Sequence, residues 1–506
     1  MIELTIQQSE WRRPVLWATF FLYVIISGFV MLHHEMWGDE IHSWNIAKGS
    51  NSLTDLLHNI RYEGHPPLWY VIIWTISKFT HNLLAVQTIH WMIATASIMM
   101  ILFMSPLPLS SKLLIPFGYY FLFEYAILSR NYAAGILLAL VICSILYKNF
   151  RYKEAIYYVL IFLLSNTHLI GILLAASFHV CFLVYKKEQG LNKANLAYHA
   201  LFGAIIVLPA ACFIFPPSDS SMNVQFWLNR WGIRNFRNFS QAPLRAFVPI
   251  PAWWLFTFWN TQFMIETANK SGVLAVINIF ISATIVMLII FILKNSRRSV
   301  VLFTANLFFS FVVAMSFFTL GAARYAGFLY IGFIAACWLY CYVSPLTGTK
   351  KLLVNVFLIL QVASAIQPVI EDARYPFSNA YRVNELLNNA PAGERIVCDY
   401  WTLNVVSAFA DKPFYCIDLQ EQISFLTWNN KLKAVLDKKN RFTDGVRNLF
   451  SKEGINKVLF ISINPPDILS KVDPQLEKEF SVSMVDKREG SIDRSSNLYL
   501  YEIRNF

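Results

Sequence analysis

Apolar runs long enough to cross a membrane recur along roughly the first 370 residues of this chain. A helix needs about 20 consecutive apolar residues to cross a hydrocarbon core of about 30 Å. The chain is 56% hydrophobic and 14% charged, whereas a soluble protein carries about 25% charged residues. These features predict a polytopic α-helical membrane protein.

The apolar runs predict about eleven membrane spans. The predicted spans are residues 16–32, 83–104, 113–128, 132–147, 154–166, 169–185, 197–215, 272–293, 299–319, 325–343 and 352–369. Residues 67–79 are apolar but too few to cross, so we expect a re-entrant or interfacial helix there. The first run lacks a convincing small-residue cleavage site, which favours a retained anchor over a removed signal.

Basic residues set the predicted orientation of these spans, because cytoplasmic loops carry an excess of Lys and Arg. With eleven spans, the basic linkers all fall on the side of Arg12 and Arg13. They contain Lys148, Arg151, Lys153, Lys186, Lys187, Lys193, Lys294, Arg297, Arg298, Lys350 and Lys351. The N-terminus is therefore predicted inside and the C-terminus outside. The net charge of +11 is then a property of cytoplasmic loops and does not indicate nucleic acid binding.

The composition changes near residue 371, where apolar runs shorten and charges become frequent. We predict a membrane domain over residues 1–370 and a soluble α/β domain over residues 371–506. The predicted elements of the second domain are a helix over 381–389 and strands over 395–399, 458–463 and 497–503. Cys398 and Cys416 lie in this domain, where they form either a disulfide or two buried thiols on strands.

An acidic pair, Asp39 and Glu40, follows the first predicted span in outer loop 33–66. Carboxylates are costly to hold near hydrocarbon, so the pair is either the start of a solvated loop or functional. The same outer face is predicted to hold His42, Glu63, His65, Arg130, Tyr132, His168, Arg324 and Tyr325. Arg130 and Arg324 are each followed within two residues by Tyr. They either snorkel to lipid headgroups or form an anion clamp beside a base.

A second outer loop, residues 216–271, carries Arg230, Arg234 and Arg237 at a spacing that brings them to one helical face. Several Trp residues accompany them. One interpretation is an amphipathic helix lying on an anionic membrane surface. The other is that one of these arginines contacts a lipid phosphate, and the two interpretations are compatible.

Metal binding is another chemistry that the outer residues permit, because His and carboxylate side chains are common ligands. The candidate ligands are His33, His34, Glu35, Asp39, His42 and His65. Their spacing matches no fixed motif, so a divalent cation is an open alternative and no metal ligand is assigned.

His168 precedes a predicted span and is either an interfacial cap or a substrate contact.

Four short motifs resemble the GT-C class of polytopic glycosyltransferases, which use polyprenyl-phosphate-linked sugars as donors. The motifs are Gly38-Asp39-Glu40, the stretch 63–70 with His65-Pro66-Pro67, the stretch 124–132 with Ser129-Arg130, and Ala323-Arg324-Tyr325. The similarity is to the subgroup that contains aminoarabinose transferases, protein-mannosyl transferases and O-antigen-modifying glucosyltransferases. It covers roughly the first 180 residues well and the remaining spans loosely.

The resemblance implies an inverting transfer of a sugar from a polyprenyl-phosphate carrier to an acceptor at the outer face. Asp39 is then expected to act as general base, with Glu40 orienting the acceptor or a basic partner. A retaining reaction would instead use Glu40 as a nucleophile about 5 Å from the first carboxylate. The expected substrate-binding residues are Glu63, His65, Arg130, Tyr132, His168, Arg234, Arg237, Arg324 and Tyr325, with arginines stabilising the leaving phosphate.

The acceptor that the resemblance implies is a lipopolysaccharide, an O-antigen or a lipid-linked glycan. The implied location is the bacterial inner membrane, with the active face in the periplasm. A protein acceptor is an open alternative.

A transporter or flippase is the main alternative from another class, but such proteins usually carry polar residues near the bilayer midplane and paired internal repeats. Here the predicted polar residues gather at one face, and the sequence contains no evident repeat.

Overall fold

The structure is a computed structural model that describes residues 12–221, 232–268, 271–316, 321–388, 394–409 and 414–506. Its α-helices up to residue 372 are α1 (Arg12–His33), α2 (Gly38–Gly49), α3 (Leu53–Asn59), α4 (Leu68–Ser77), α5 (Leu83–Met104), α6 (Leu109–Leu114), α7 (Tyr132–Leu146), α8 (Lys153–Ser165), α9 (Leu169–Glu188), α10 (Lys193–Ile214), α11 (Ile233–Ser240), α12 (Ala242–Phe247), α13 (Phe263–Ala268), α14 (Gly272–Leu293), α15 (Arg297–Ser316), α16 (Ala323–Cys341) and α17 (Gly348–Asp372). Their arrangement is a polytopic helical bundle followed by a small mixed α/β domain.

Within the described residues, eight helices are long and apolar enough to cross a membrane: α1, α5, α9, α10, α14, α15, α16 and α17. Eight of the eleven predicted spans therefore coincide with a helix of spanning length. Two others coincide with α7 and α8, which have 15 and 13 residues. At 1.5 Å per residue these two helices are about 22 and 20 Å long, shorter than a hydrocarbon core of about 30 Å.

The predicted span 113–128 is not one continuous helix, because this segment is broken into several short turns. Helix α6 is followed by a 3-10 turn at Ile115–Phe117 and a π turn at Tyr120–Glu124. Pro116 lacks a backbone N–H, and Gly118 after it is in extended backbone (ψ 152°), so a continuous helix cannot form. Residues 118–130 are all buried in the bundle. Irregular backbone is tolerated at membrane depth only where protein covers it.

This broken segment nevertheless runs the length of the bundle. Near its start, the Lys112 ammonium donates to the carbonyl of Leu102 (2.9 Å), at the last turn of α5. Its end lies beside the first turns of α5, where Gln87 donates to the carbonyl of His34 (2.9 Å). Ser129 is bonded there to Glu40. Since α5 has 22 residues and is about 33 Å long, the two ends of the segment lie at opposite ends of the bundle.

The short apolar stretch 67–79 contains a ten-residue helix, α4, as its length predicts. Such a helix is about 15 Å long and cannot cross a membrane. Trp69, Tyr70 and Ile73 on α4 are buried against α2. The backbone N–H of Leu68 donates to the carbonyl of Asn166 (2.9 Å), which fixes the start of α4 at the end of α8.

Basic residues of the predicted inner loops gather at one end of the bundle. Arg298 pairs with Glu188 (2.6 Å), Lys153 donates to the hydroxyl of Tyr185 (3.2 Å), and Lys350 donates to the hydroxyl of Tyr340 (2.9 Å). Helix α16 has 19 residues; it ends beside this cluster and carries Arg324 in its first turn. Arg324 and the acidic pair therefore lie at the opposite end, about 26 Å away along α16.

The C-terminal domain is built on a six-stranded mixed sheet in the order β3-β2-β1-β4-β6-β5. Its strands are β1 (Ile396–Cys398), β2 (Phe414–Cys416), β3 (Glu421–Ile423), β4 (Lys457–Ser462), β5 (Phe480–Arg488) and β6 (Leu498–Asn505). Its helices are α18 (Val383–Asn388), α19 (Tyr400–Val406), α20 (Asn430–Leu436), α21 (Arg441–Glu453), α22 (Pro466–Val472) and α23 (Leu476–Glu479). Strand β1 is parallel to β2 and β4, whereas the other pairs are antiparallel.

The predicted helix and the three predicted strands of this domain are confirmed as α18, β1, β4 and β6; residue 389 lies outside the described residues. Cys398 on β1 and Cys416 on β2 stand opposite each other in register. Both thiols are free and buried, which is the second of the two predicted alternatives.

Helix α2 lies between the membrane bundle and the C-terminal domain. Ile41 and Trp44 of α2 share one apolar cluster with Leu403 of α19. Polar contacts fix the same docking: Asn45 donates to the hydroxyl of Ser407 (2.7 Å), and Asn404 donates to the carbonyl of Gly38 (3.1 Å). The domain therefore packs directly on the helix that carries the acidic pair.

The arrangement predicts that Lys187 and Ser481, both exposed, lie on opposite sides of the membrane. In a Cys212→Ser background, which removes the exposed native thiol, Lys187→Cys and Ser481→Cys proteins should react with a membrane-impermeant maleimide from opposite sides. Labelling of sealed vesicles before and after permeabilisation measures this. Labelling of both variants from one side would contradict the arrangement.

Candidate functional site

The acidic pair occupies the first turn of α2. Trp37 is the N-cap residue, so Asp39 and Glu40 follow at the positions where backbone N–H groups lack helical partners. Negative side chains are favourable there because the helix dipole is positive at this end. The Glu40 carboxylate uses this position directly, accepting from the backbone N–H of Trp37 (3.0 Å).

Glu40 is only 1% exposed, and both of its oxygens are occupied. Oε1 accepts from the backbone N–H of Ser129, the residue before Arg130. Oε2 accepts from His34 Nε2 (3.2 Å) as well as from the Trp37 N–H. Glu40 therefore joins the start of α2 to the segment that presents Arg130, and its carboxylate does not face open space.

His34 continues this network into the last membrane helix. Its Nδ1 lies 3.0 Å from Oδ2 of Asp372, which ends α17. The side chains of Asp372, His34 and Glu40 are all fully buried. Burial alone would lower the pKa of His34, but the Asp372 and Glu40 carboxylates outweigh it and raise that pKa well above its usual value. At neutral pH the ring is therefore an imidazolium held between two carboxylates.

Asp39 differs from Glu40 because its carboxylate is accessible. Its Oδ2 lies 2.6 Å from Arg130 Nη1 and 3.7 Å from Arg324 Nη2, while 42% of the side-chain surface stays open. Burial of the surrounding site raises the pKa of Asp39, but Arg130, Arg324 and His42 outweigh it, so the pKa is lowered. The group is ionised at neutral pH and faces a recess rather than a packed core.

The Arg324 guanidinium has N–H groups without a hydrogen-bond acceptor among the described residues. It lies over three aromatic rings, at 5.2 Å from the centre of Trp37, 5.5 Å from Trp259 and 5.0 Å from Tyr325. Its Nε and Nη1 atoms are buried and have no hydrogen-bond partner among the described residues. Unpaired buried donors are costly unless a ligand satisfies them. This geometry is suited to binding an anion beside Asp39.

His42, His65 and Glu63 form a polar wall of the recess near Asp39. His42 Nε2 lies 2.9 Å from a Glu63 oxygen, and His65 Nδ1 lies 2.7 Å from the Glu63 carbonyl. Burial lowers the pKa of His42, but Glu63 outweighs it and the net shift is upward. For His65, burial and Arg130 both lower the pKa. The wall thus pairs a histidine that tends to be charged with one that stays neutral.

Three further predicted residues are adjacent to this recess. His168 caps α9 by accepting from the backbone N–H of Gly171 (2.8 Å), as one of its two predicted roles requires. Its ring lies 4.9 Å from that of Tyr132, which in turn lies 6.3 Å from Tyr325. His168 Nε2 and the Tyr132 hydroxyl are buried without a hydrogen-bond partner among the described residues, so both can still form a hydrogen bond to a ligand.

Arg234 and Arg237 lie elsewhere, on the exposed face of α11. They line a separate cavity of about 520 Å³, whose walls contain neither Asp39 nor Arg130. Arg230, the third predicted arginine of this face, lies outside the described residues. The pattern of one basic helical face is therefore present, but it does not reach the acidic pair.

The six candidate metal ligands are divided among different contacts. His34 is held by two carboxylates, His42 by Glu63, and Glu35 accepts from the backbone N–H of Phe377 (2.8 Å). His33 is bonded within its own helix to the carbonyl of Phe29 (2.7 Å). In the part of the chain that the structure describes, no group of three His, Cys, Asp or Glu side chains is suited to a metal ion.

Two contributors to the site were not predicted from the sequence. Asp372 gave a weak signal as an acid at the end of the last predicted span, but nothing in the sequence links it to His34. Trp259 lies 4.5 Å from Trp37 and donates to a Glu124 oxygen (3.3 Å), so it connects the arginine-binding aromatic wall to the broken segment. Its role was hidden among the many Trp residues of loop 216–271.

Comparison with known proteins gives no family assignment. No protein-family model matches the chain, and no curated protein matches it in sequence.

Replacing His34 should destabilise the fold, because His34→Ala leaves two buried carboxylates without a counter-charge. Removal of one member of a buried ion pair costs about 3–5 kcal/mol. Thermal unfolding of the detergent-solubilised protein should show a clearly lower midpoint. The matched control is His33→Ala, which removes an exposed ring from the neighbouring position and should change the midpoint little. Equal midpoints for the two variants would contradict the role of the buried network.

Proposed function

We propose that this chain is an inverting glycosyltransferase that moves a sugar from a polyprenyl-phosphate carrier to an acceptor hydroxyl. The observation that carries the proposal is the accessible, ionised Asp39 carboxylate beside Arg324. Two buried guanidinium nitrogens of Arg324 have no partner in the described residues. A base and an unsaturated cation at the same place are the two groups that this reaction requires.

In the proposed reaction, Asp39 accepts the proton of the acceptor hydroxyl as its oxygen attacks the anomeric carbon of the sugar. The bond from that carbon to the carrier phosphate breaks, and the phosphate oxygen keeps the electron pair. Arg324 and Arg130 stabilise the charge that the leaving phosphate gains. A single displacement inverts the anomeric carbon. Both oxygens of Glu40 are hydrogen-bonded, to backbone N–H groups and to His34, so Glu40 is not available as the nucleophile of a retaining mechanism.

The two arginines also adjust the strength of the base. Without a donor, Arg130 and Arg324 lower the pKa of Asp39 and make it a weak proton acceptor. A bound phosphate shares the charge of these arginines and thereby weakens their hold on the carboxylate. The pKa of Asp39 then rises toward the range in which a general base is efficient. Base strength is in this way coupled to donor binding.

The distribution of charge supports an active face outside the cytoplasm. The basic residues gather at one end of the bundle, and Asp39 lies at the other. By the positive-inside rule the basic end is cytoplasmic. We therefore place the recess and the C-terminal domain on the periplasmic side of a bacterial inner membrane. Arg234 and Arg237, which border a separate cavity, would contact carrier or membrane phosphates there.

Asp39→Asn should reduce the turnover number by about 10²–10⁴-fold, because the amide cannot accept the acceptor proton. The assay is transfer of radiolabelled sugar from synthetic polyprenyl-phosphate sugars to lipopolysaccharide by the purified protein. The matched control is Asp55→Asn, since the Asp55 carboxylate accepts from the Asn51 N–H (2.8 Å) and the Asn59 amide (3.4 Å) within its own segment. Wild-type turnover in Asp39→Asn would remove Asp39 from the reaction.

Arg324→Gln should move the acidic limb of the pH–rate profile to higher pH. Asp39 acts as its anion, and Arg324 is one of the charges that lower its pKa, beside Arg130 and His42. Loss of Arg324 raises that pKa, so activity is lost at a higher pH on acidification. The pH dependence of kcat/KM, which reports the pKa of Asp39 in the free enzyme, measures this shift. Arg374→Gln, which alters an exposed arginine after α17, should leave the limb in place; a common shift in both variants would point to a nonspecific cause.

A further inference from the structure

A row of aromatic rings leads from the recess onto the C-terminal domain. His42 lies one helical turn after Asp39 on α2, so the two side chains point to the same side of the helix. The His42 ring lies 6.2 Å from that of Trp428, in an edge-on arrangement. Trp428 lies in turn 5.7 Å from Trp401. The row therefore connects the candidate base to a surface contributed by another domain.

The outer end of this row is open. Trp401 lies in the first turn of α19 and keeps 41% of its surface exposed, although the flanking residues Tyr400 and Thr402 are buried. Trp428 is half-buried. The two rings together form a partly exposed aromatic surface beside the recess. A flat Trp ring offers an apolar face at low entropic cost.

The segment that carries Trp428 is held in place by three hydrogen bonds to residues 219–221. The Trp428 carbonyl accepts from the backbone N–H of Ser221 (3.0 Å) and from the Ser220 hydroxyl (3.1 Å). The N–H of Asn430 donates to the carbonyl of Asp219 (2.7 Å), whose carboxylate accepts from the Tyr62 hydroxyl (2.8 Å). An outer loop of the membrane domain thus pre-organises the ring before any ligand arrives.

Polar atoms without a hydrogen-bond partner among the described residues lie at the inner end of the row. His42 is 7% exposed and its Nδ1 has no hydrogen-bond partner among the described residues. The same holds for Oε1 of Glu63 and for the hydroxyl of Tyr400. These are a ring nitrogen, a carboxylate oxygen and a phenol, which together can donate to and accept from hydroxyl groups.

We propose that Trp401, Trp428 and the His42–Glu63 pair bind a pyranose of the acceptor glycan and direct one of its hydroxyls to Asp39. A sugar ring has an apolar C–H face that stacks on an aromatic ring and a rim of hydroxyls that needs hydrogen-bond partners. The row offers an aromatic surface for the C–H face at its outer end and polar atoms for the hydroxyls at its inner end, next to Asp39. A lipid tail would leave the polar atoms unsatisfied. The inference rests on the proposed function and identifies its acceptor as a carbohydrate.

Binding can be measured without transfer. The probe is the water-soluble oligosaccharide released from lipopolysaccharide by mild acid, titrated against the full-length protein in nanodiscs by saturation-transfer NMR. Trp401→Ala and Trp428→Ala should each weaken binding about tenfold. Trp428→Phe should retain most of the affinity because the stacking face is kept. Trp254→Ala is the matched control, since Trp254 is 50% exposed but lies outside the row.

The possible results separate the two proposals. Wild-type affinity in Trp401→Ala, with an unchanged unfolding midpoint, overturns the aromatic site even if Trp428→Ala misfolds. Absence of oligosaccharide binding by the wild type overturns it as well, as does tighter Trp401-dependent binding of a Ser/Thr-rich peptide. Trp401-dependent binding without any sugar transfer by the wild type would support the carbohydrate site while contradicting the glycosyltransferase.

Discussion

The arrangement of the site depends on one buried imidazolium held between two carboxylates. His34, Glu40 and Asp372 come from the end of α1, the start of α2 and the end of α17, so their contact fixes three chain segments at one point. Charges buried in this way are costly, and their mutual attraction offsets the cost only while every partner is present. Through the Ser129 N–H, the same network sets the position of Arg130. The position of the catalytic candidates is thus coupled to the intact ion network.

Two adjacent carboxylates acquire different roles because their surroundings differ. Glu40 points into the protein, where backbone N–H groups and His34 use both of its oxygens. Asp39, one position earlier, stays accessible and pairs with Arg130 at 2.6 Å and with Arg324 at 3.7 Å. Successive residues of a helix lie about 100° apart, which is sufficient to separate a buried group from an accessible one. Arg324 then retains the capacity to bind another anion.

The sequence was informative where a single segment decides the outcome, and less so where distant segments meet. Apolar length predicted most spanning helices and the shortness of α4, because crossing a membrane is a local requirement. The same reasoning did not predict that segment 113–128 is broken at Pro116. Most of its residues are buried in protein, and a broken helix is tolerated at membrane depth only where protein covers it. The grouping of Asp39, Arg130 and Arg324 followed from topology. The partner of His34, Asp372, lies 338 residues away and has no local signature.

The docking of the C-terminal domain on α2 gives the proposed reaction two separate approaches. In that proposal, a lipid-linked donor would stay in the membrane, so its phosphate would reach Asp39 from the side of the bundle, where Arg130 and Arg324 lie. An acceptor glycan would arrive from water, on the side where α19 and Trp428 border the helix. Asp39 stands between the two because α2 packs against both domains. A membrane bundle alone would leave that second side open to water. The domain replaces it with a structured wall, which restricts water as a competing acceptor and makes the choice of acceptor a property of the interface between domains.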